Sequence, residues 1–372
     1  MNVEDYLSDL EAGANLRRIP SDMAPDMTDF TSNDYLGFAA DTGLRESFFA
    51  THSPVRLAMS ASASRLLAAS QQPYADLEKS LGEAYGRHAL LFNSGYHANT
   101  GIIPAIADRS SLILADRLVH ASIIDGIRLS GARFTRFPHN DFDRLEQLIE
   151  ANVGTASNII VIVESIYSMD GDRADIKRLA DLKRRFPEII LYVDEAHAVG
   201  ATGPAGLGES VAQGVAPDID VIVGTFGKAL ASAGAFAVTS EPMRSFLINR
   251  ARPFIFSTAL SPAQILWSDF VWRHSLGADS ARDSLARKSR MLADIIPGGA
   301  PSHIRPLIVG DARRAVDLSE RLRREGFNVL PIRTPTVPTG TERLRFSLSA
   351  AIPDDEITRL GHALSQIHPI NS

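Results

Sequence analysis

Continuous apolar runs separated by amphipathic stretches constrain this chain more than any other feature. Leu112-Ile113-Leu114, Ile159–Val163, Ile189–Val193 and Val221-Ile222-Val223 offer no alternating polar face. Ala121–Leu129, Asp141–Ala151 and Ile176–Arg185, lying between them, carry helical periodicity. A strand that is apolar on both faces must be covered on both, and such strands alternating with helices predict an α/β fold with a mainly parallel sheet. In sheets of this kind ligands bind outside the carboxyl ends of the strands. The residues that carry chemistry should therefore follow the strands.

The C-terminal hundred residues read differently. Helical patterns at Ala263–His274 and Ala281–Ile295 precede a strand at Ile304–Val309 and a helix from Ala312 to Glu325 that stops at Gly326. Strands at Asn328–Leu330 and Arg343–Leu348 and a helix at Asp354–Ile367 complete an α+β lobe. The organisation expected for 372 residues is an N-terminal arm over 1–40, including Pro20 and Pro25, a large domain over 41–265 and a small C-terminal domain over 266–372. A net charge of −6 without a basic stripe gives no reason to expect nucleic acid. The absence of cysteine excludes disulfides, a Cys-ligated zinc and a Cys nucleophile. No apolar run approaches the ~20 residues that span a bilayer. Met1–Leu10 is acidic with no apolar core, so the expected compartment is the cytoplasm, with no membrane partner.

Two strand ends hold the strongest chemical signal. IILYVDEAH at Ile189–His197 ends a buried strand in Asp194, with His197 three residues on; DVIVGTFGKA at Asp220–Ala229 runs another strand into Thr225, Gly227 and Lys228. An acid closing a strand is as often a turn cap, and a lysine past a strand is more often a solvated loop residue. Together they supply what a pyridoxal site needs: an amine for a Schiff base, an acid to keep the pyridine nitrogen protonated, and a hydroxyl for the phosphate. LLFNSGYHAN at Leu90–Asn99 places Ser94, Gly95 and Tyr96 before a helix expected from Ala98, where backbone N–H groups cradle an anion. His120 in DRLVHAS could stack on a flat cofactor, although a capping histidine is the commoner occurrence. In ESIYSMDGD, Ser168 follows a strand and Asp170-Gly171 is turn chemistry.

In this order and spacing the stretches resemble the α-oxoamine synthases, pyridoxal-phosphate enzymes of the aspartate-aminotransferase fold type (fold type I). TSNDYLGF at Thr31–Phe38, FSTALSP at Phe256–Pro262 and RLRFSLSA at Arg343–Ala350 extend the resemblance over nearly the whole chain. It implies pyridoxal 5'-phosphate on Lys228, Asp194 on the pyridine nitrogen, His197 and Ser168 at the phenolic oxygen and His120 on the ring. It further implies Ser94, Gly95, Tyr96 and Thr225 at the phosphate, and Arg345 on the substrate carboxylate with Asn33 and Arg17 nearby. A homodimer is implied too, with Ser257 or Thr258 reaching the neighbour's phosphate.

PLIVGD at Pro306–Asp311 and the stretch Ile332–Ala350 most resemble members that join L-alanine to a pimeloyl thioester, carried on coenzyme A or a carrier protein. Members that use glycine with acetyl- or succinyl-CoA are the near alternatives; an aminotransferase and a cofactor-free binding protein are remote ones. The sequence departs from the family at Met59–Arg65, MSASASR, where Ala61 and Ala63 replace expected glycines, and at Tyr74, which replaces a histidine.

Overall fold

The computed structural model describes residues 2–19 and 22–367. It divides into two compact units, one formed by Phe38–Tyr167 and Arg173–Asp279, the other by the described parts of Met1–Gly37, Ser168–Asp172 and Ser280–Ser372.

The first unit is built on a seven-stranded sheet. From edge to edge the strands are His88–Phe92, Ala235–Thr239, Val221–Thr225, Ile189–Asp194, Ile159–Glu164, Leu112–Asp116 and Arg133–Phe137. All run in one direction except Ala235–Thr239, which is antiparallel to both neighbours. The parallel expectation holds for the four apolar runs, each slightly longer than its apolar letters because it ends in a polar residue. Ile113, Ile160, Ile162, Val221 and Val223 are fully buried. Burying each such side chain is worth ~1.5–3 kcal/mol, enough for the runs to set the sheet order.

Because these strands share a direction, the segments after Phe92, Asp116, Asp194 and Thr225 leave the sheet at one end. The helix after the first begins at Gly95, three residues earlier than the pattern suggests. Ser94 caps it by accepting the His97 N–H at 3.1 Å, and its extended backbone turns the chain into the helix. This helix, Gly95–Ile106, packs tightly on the helix Ala121–Ser130. A Cβ on Gly126 would lie 2.6 Å from the carbonyl oxygen of Asn99, so only glycine permits this approach.

The second unit holds a three-stranded antiparallel sheet ordered Leu330–Ile332, Arg343–Ser347, Ile304–Ile308, with helices Ala312–Arg324 and Asp354–Ile367. The strand expected at Asn328–Leu330 is two strands. Phe327–Asn328 pairs in parallel with Thr28–Asp29, and Leu330–Ile332 joins the larger sheet. The N-terminal segment contributes the helix Val3–Ala12, which starts at an Asn2 cap and buries none of its residues. Pro20 lies outside the described residues.

Candidate active site

Lys228 leaves the strand Val221–Thr225 in a tight loop. Phe226 N–H donates to Gly234 and Ser232 N–H to Phe226, while Ala231 N–H donates back to Lys228. These bonds hold the lysine half-buried, its Nζ 2.8 Å from Nε2 of His197. Thr225 is buried; its hydroxyl donates to Gly234 O at 3.0 Å and accepts from Gly227 N–H at 3.1 Å. A hydroxyl has one proton, so contact with a phosphate would exchange the Gly234 partner for a phosphate oxygen.

Asp194 ends the adjacent strand and is 5% exposed. Its Oδ1 accepts from Ala196 N–H at 2.9 Å and its Oδ2 from Asn99 Nδ2 at 2.8 Å. Among the described residues no Lys, Arg or His lies within ion-pair distance of it. A buried carboxylate without a counter-cation is costly, and a protonated ring nitrogen is the kind of donor that would relieve it. Neighbouring Glu195 is fully buried and, among the described residues, also has no ion-pair partner. It is satisfied by Ser165, Glu209 N–H and Ser210 N–H, and burial raises its pKa.

His120 caps the helix Ala121–Ser130, its Nδ1 accepting from Ser122 N–H at 3.2 Å and lying 2.7 Å from Ser122 Oγ. Desolvation lowers its pKa and Lys228 lowers it further, against the raising pull of Asp194 and Asp125, so the ring is neutral at pH 7. At the start of the helix Gly95–Ile106, the N–H groups of Gly95 and Tyr96 meet no backbone acceptor, as first-turn amides do. The half-exposed Tyr96 side chain hydrogen-bonds Asp125. Thr258 is exposed and belongs to an isolated bridge with Ser64, its carbonyl accepting from Asn93 at 2.7 Å.

In the second unit Arg345 is 7% exposed; it donates from Nε to Ser168 O at 2.6 Å and from Nη2 to Asn33 Oδ1 at 3.0 Å. Asn33 Oδ1 also accepts from Tyr35, whose phenol burial pushes up to about 12 against the lowering effect of Arg345. Arg343, two residues earlier on the same strand face, is neutralised by Asp170. Arg345 has no carboxylate partner among the described residues; besides Ser168 O and Asn33 Oδ1 it also hydrogen-bonds the Tyr35 phenol. A buried guanidinium without a carboxylate suits an anion, for which its planar fork fits better than an ammonium. Arg17 stands apart from this pair, exposed and donating to Thr336 at 2.9 Å.

The departures from the expected motif settle differently. Neither Ala61 nor Ala63 has a positive φ; the left-handed residue is Ser62, at φ 51°. Tyr74 is buried, hydrogen-bonds the carbonyl of Leu260 and lies under the Arg65 guanidinium, 4.5 Å from its ring centroid. Three residues of the site escaped sequence reasoning. Asn99, Ser122 and Tyr192 lie inside the quoted stretches, but as neutral polar residues they carry no periodicity or charge signal.

Residues 25–364 match the model of the class I and II aminotransferase family. An 8-amino-7-oxononanoate synthase of Haemophilus ducreyi is 46% identical over 90% of each chain. A solved serine palmitoyltransferase with pyridoxal phosphate as its internal aldimine superposes with a TM-score of 0.88 at 25% identity, covering 99% of this chain and 98% of that one. The Sphingomonas wittichii serine palmitoyltransferase matches equally well, TM-score 0.88 at 27% identity over 98% and 95% of the two chains. The chain belongs to the α-oxoamine synthases within that family. It is a pyridoxal-phosphate enzyme and an acyltransferase. The residues of this α-oxoamine synthase fit the cofactor: a half-buried amine, a buried carboxylate lacking a cation, a neutral imidazole and open first-turn amides leave one strand end of the sheet. No helix among the described residues is long and apolar enough to cross a membrane.

Proposed function

We propose that this chain makes 8-amino-7-oxononanoate by condensing L-alanine with a pimeloyl thioester, releasing thiol and carbon dioxide in the biotin pathway. The 46% identity to the Haemophilus ducreyi enzyme over 90% of both chains carries the choice of reaction. The buried, cation-free Asp194 supports the choice of chemistry. Bound pyridoxal phosphate supplies the electron sink that makes the amino acid's α-carbon acidic and accepts the electrons left by decarboxylation.

The chain's residues divide the remaining work. Lys228 Nζ carries the cofactor covalently and, once released, removes the α-proton. Asp194 keeps the ring nitrogen protonated. His197, already beside Lys228 Nζ, and Ser168 serve the phenolic oxygen. His120, neutral, covers the ring without opposing its positive charge. Ser94, Gly95, Tyr96 and Thr225 hold the phosphate, and Arg345 with Asn33 holds the alanine carboxylate. Arg17 contributes on the substrate side.

The working form we propose is a cytoplasmic homodimer in which Thr258 completes the partner's phosphate site. Its support is the exposure of large apolar side chains near that segment's bridge. Leu67 is 78% exposed, Met59 75% and Phe256 68%, which is unusual for a surface meant for water alone.

The reading is tested by kcat/KM for alanine or glycine paired with pimeloyl, acetyl or succinyl thioesters, the pimeloyl group supplied on coenzyme A and on a carrier protein. Alanine with the pimeloyl donor should win. A pocket that accepts one methyl separates alanine from glycine by ~1–3 kcal/mol. A longer chain adds ~0.8 kcal/mol per buried methylene. Preference for glycine with acetyl- or succinyl-CoA overturns the assignment.

Arg345→Lys should raise the Michaelis constant for alanine while cofactor affinity holds. Lysine keeps the charge and loses the fork, a penalty of ~1–3 kcal/mol for a charge-assisted contact. Weakened cofactor binding with an unchanged Michaelis constant removes Arg345 from the carboxylate.

A further inference from the structure

Asn99 sits inside the helix Gly95–Ile106, 1% exposed, with both amide protons and the amide oxygen engaged. One Nδ2 proton goes to Asp194 Oδ2 at 2.8 Å and the other to Ser122 Oγ at 2.9 Å. Its Oδ1 accepts from the Tyr192 hydroxyl at 2.5 Å. The orientation is dictated by chemistry, since a reversed amide would aim an acceptor at a carboxylate. Tyr192 can only donate here. Burial and the charge of Asp194 push its phenol well above the usual value, so it keeps its proton.

The second branch fixes His120. Ser122 accepts from Asn99, so its own hydroxyl proton is free for His120 Nδ1, 2.7 Å away. Ser122 N–H points at the same nitrogen. Nδ1 is thus an acceptor twice over, and the neutral ring carries its proton on Nε2. The chain of donors has one direction: Tyr192 to Asn99, then to Asp194 on one side and through Ser122 to His120 on the other. The bare-backbone approach at Gly126 brings the two helices close enough for the second branch.

We infer that Asn99 is a positioning residue that holds, from one amide, both the Asp194 carboxylate and the His120 imidazole in place for the cofactor ring. The inference rests on the cofactor reading above. Among the described residues the Asp194 carboxylate has two donors, and Asn99 is the one that comes from a side chain. Without it one carboxylate oxygen loses its anchor and the charged form loses a hydrogen bond. The charged and titratable groups facing this amide are Asp194 and Tyr192, with His120 and Lys228 beyond them and Asp125 on the neighbouring helix.

The test is the dissociation constant for pyridoxal phosphate, measured by equilibrium dialysis from pH 5 to pH 9 on wild type, N99A, N99D and S122A. N99A should bind roughly tenfold to a hundredfold more weakly across the range, the scale of one hydrogen bond to a charged group. N99D has the same shape. At low pH its neutral carboxyl can donate to Asp194; as pH rises two carboxylates face each other and one must resist ionising. Its affinity relative to wild type should therefore fall about tenfold or more with rising pH. Wild-type affinity in N99A overturns the inference, and so does equal, pH-independent weakening in both variants, which marks a packing role. If N99D does not fold by circular dichroism, S122A decides. It keeps the Asp194 donor and should bind at least about threefold more tightly than N99A, whereas equal weakening overturns the inference. Failure of wild type to bind the cofactor sinks the cofactor reading itself, a result distinct from all of these.

Discussion

Lys228→Ala should fold normally and lose essentially all turnover, at least about 10³-fold, because no other amine can take its place. The chain has five lysines. Lys79 and Lys177 are exposed, Lys183 is paired with Asp220, and Lys288 is spent on the carbonyl of Ala350 and on Ser284. Lys228 alone among them follows a strand of the large sheet and has an imidazole within 2.8 Å. Its loop is closed by backbone bonds from Phe226, Ala231 and Ser232, none of which uses the lysine side chain, so removing that side chain leaves the fold intact. Borohydride reduction of the loaded wild type followed by peptide mapping should mark the peptide containing Lys228 and no other lysine. Steady-state turnover by Lys228→Ala without added amine, or a mark elsewhere, refutes the role.

The parts of this fold that were legible in the sequence are those where burial acts on both faces. Ile159–Glu164 and Ile189–Asp194 sit inside the sheet, so nearly every position is apolar and the run announces itself. Arg133–Phe137 did not, because it is the edge strand and four of its five residues are exposed. Ala235–Thr239 is buried throughout, but an apolar run does not state its direction, and its antiparallel pairing follows from the short Lys228 loop. The helix Val3–Ala12 has no buried residue; its sequence signals are the Asn2 cap, the acidic first turn of Glu4 and Asp5, and the helical spacing of Val3, Tyr6, Leu7 and Leu10, overlooked in a short segment read as an arm.

The candidate site shows the same division. Lys228 and Asp194 were legible as charges set at the ends of apolar strands, where a charge needs a reason; Arg345 was reached through the family resemblance of its stretch. Asn99, Ser122 and Tyr192 were not, because they act on other side chains across 23 and 93 residues of sequence. Pairings at such separations exist only once the sheet has formed. Thr225 is intermediate: its position was legible, but the commitment of its proton to Gly234 was not.

Asp194→Asn should separate stability from catalysis. In the protein alone Asp194 is buried with two hydrogen-bond donors and no cation, so its charge is a net burden on folding. Asparagine has the same shape and no charge. Both carboxylate oxygens accept hydrogen bonds, so the asparagine NH2 must face either the Asn99 or the Ala196 donor. That opposed donor offsets the lost charge, and the cofactor-free variant should unfold near the wild-type denaturant midpoint. Catalysis should not be spared. An amide cannot keep a proton on a pyridine nitrogen, so the electron sink is weakened at the step where the α-carbon loses its proton. The expected loss in turnover is at least ~10²-fold, the scale of removing one strong electrostatic stabiliser from a reaction centre. Exchange of the alanine α-proton with solvent deuterium isolates that step from acyl transfer. Near-normal exchange in Asp194→Asn would contradict the role of Asp194. A large drop in its cofactor-free stability would show instead that the carboxylate holds the strand end together.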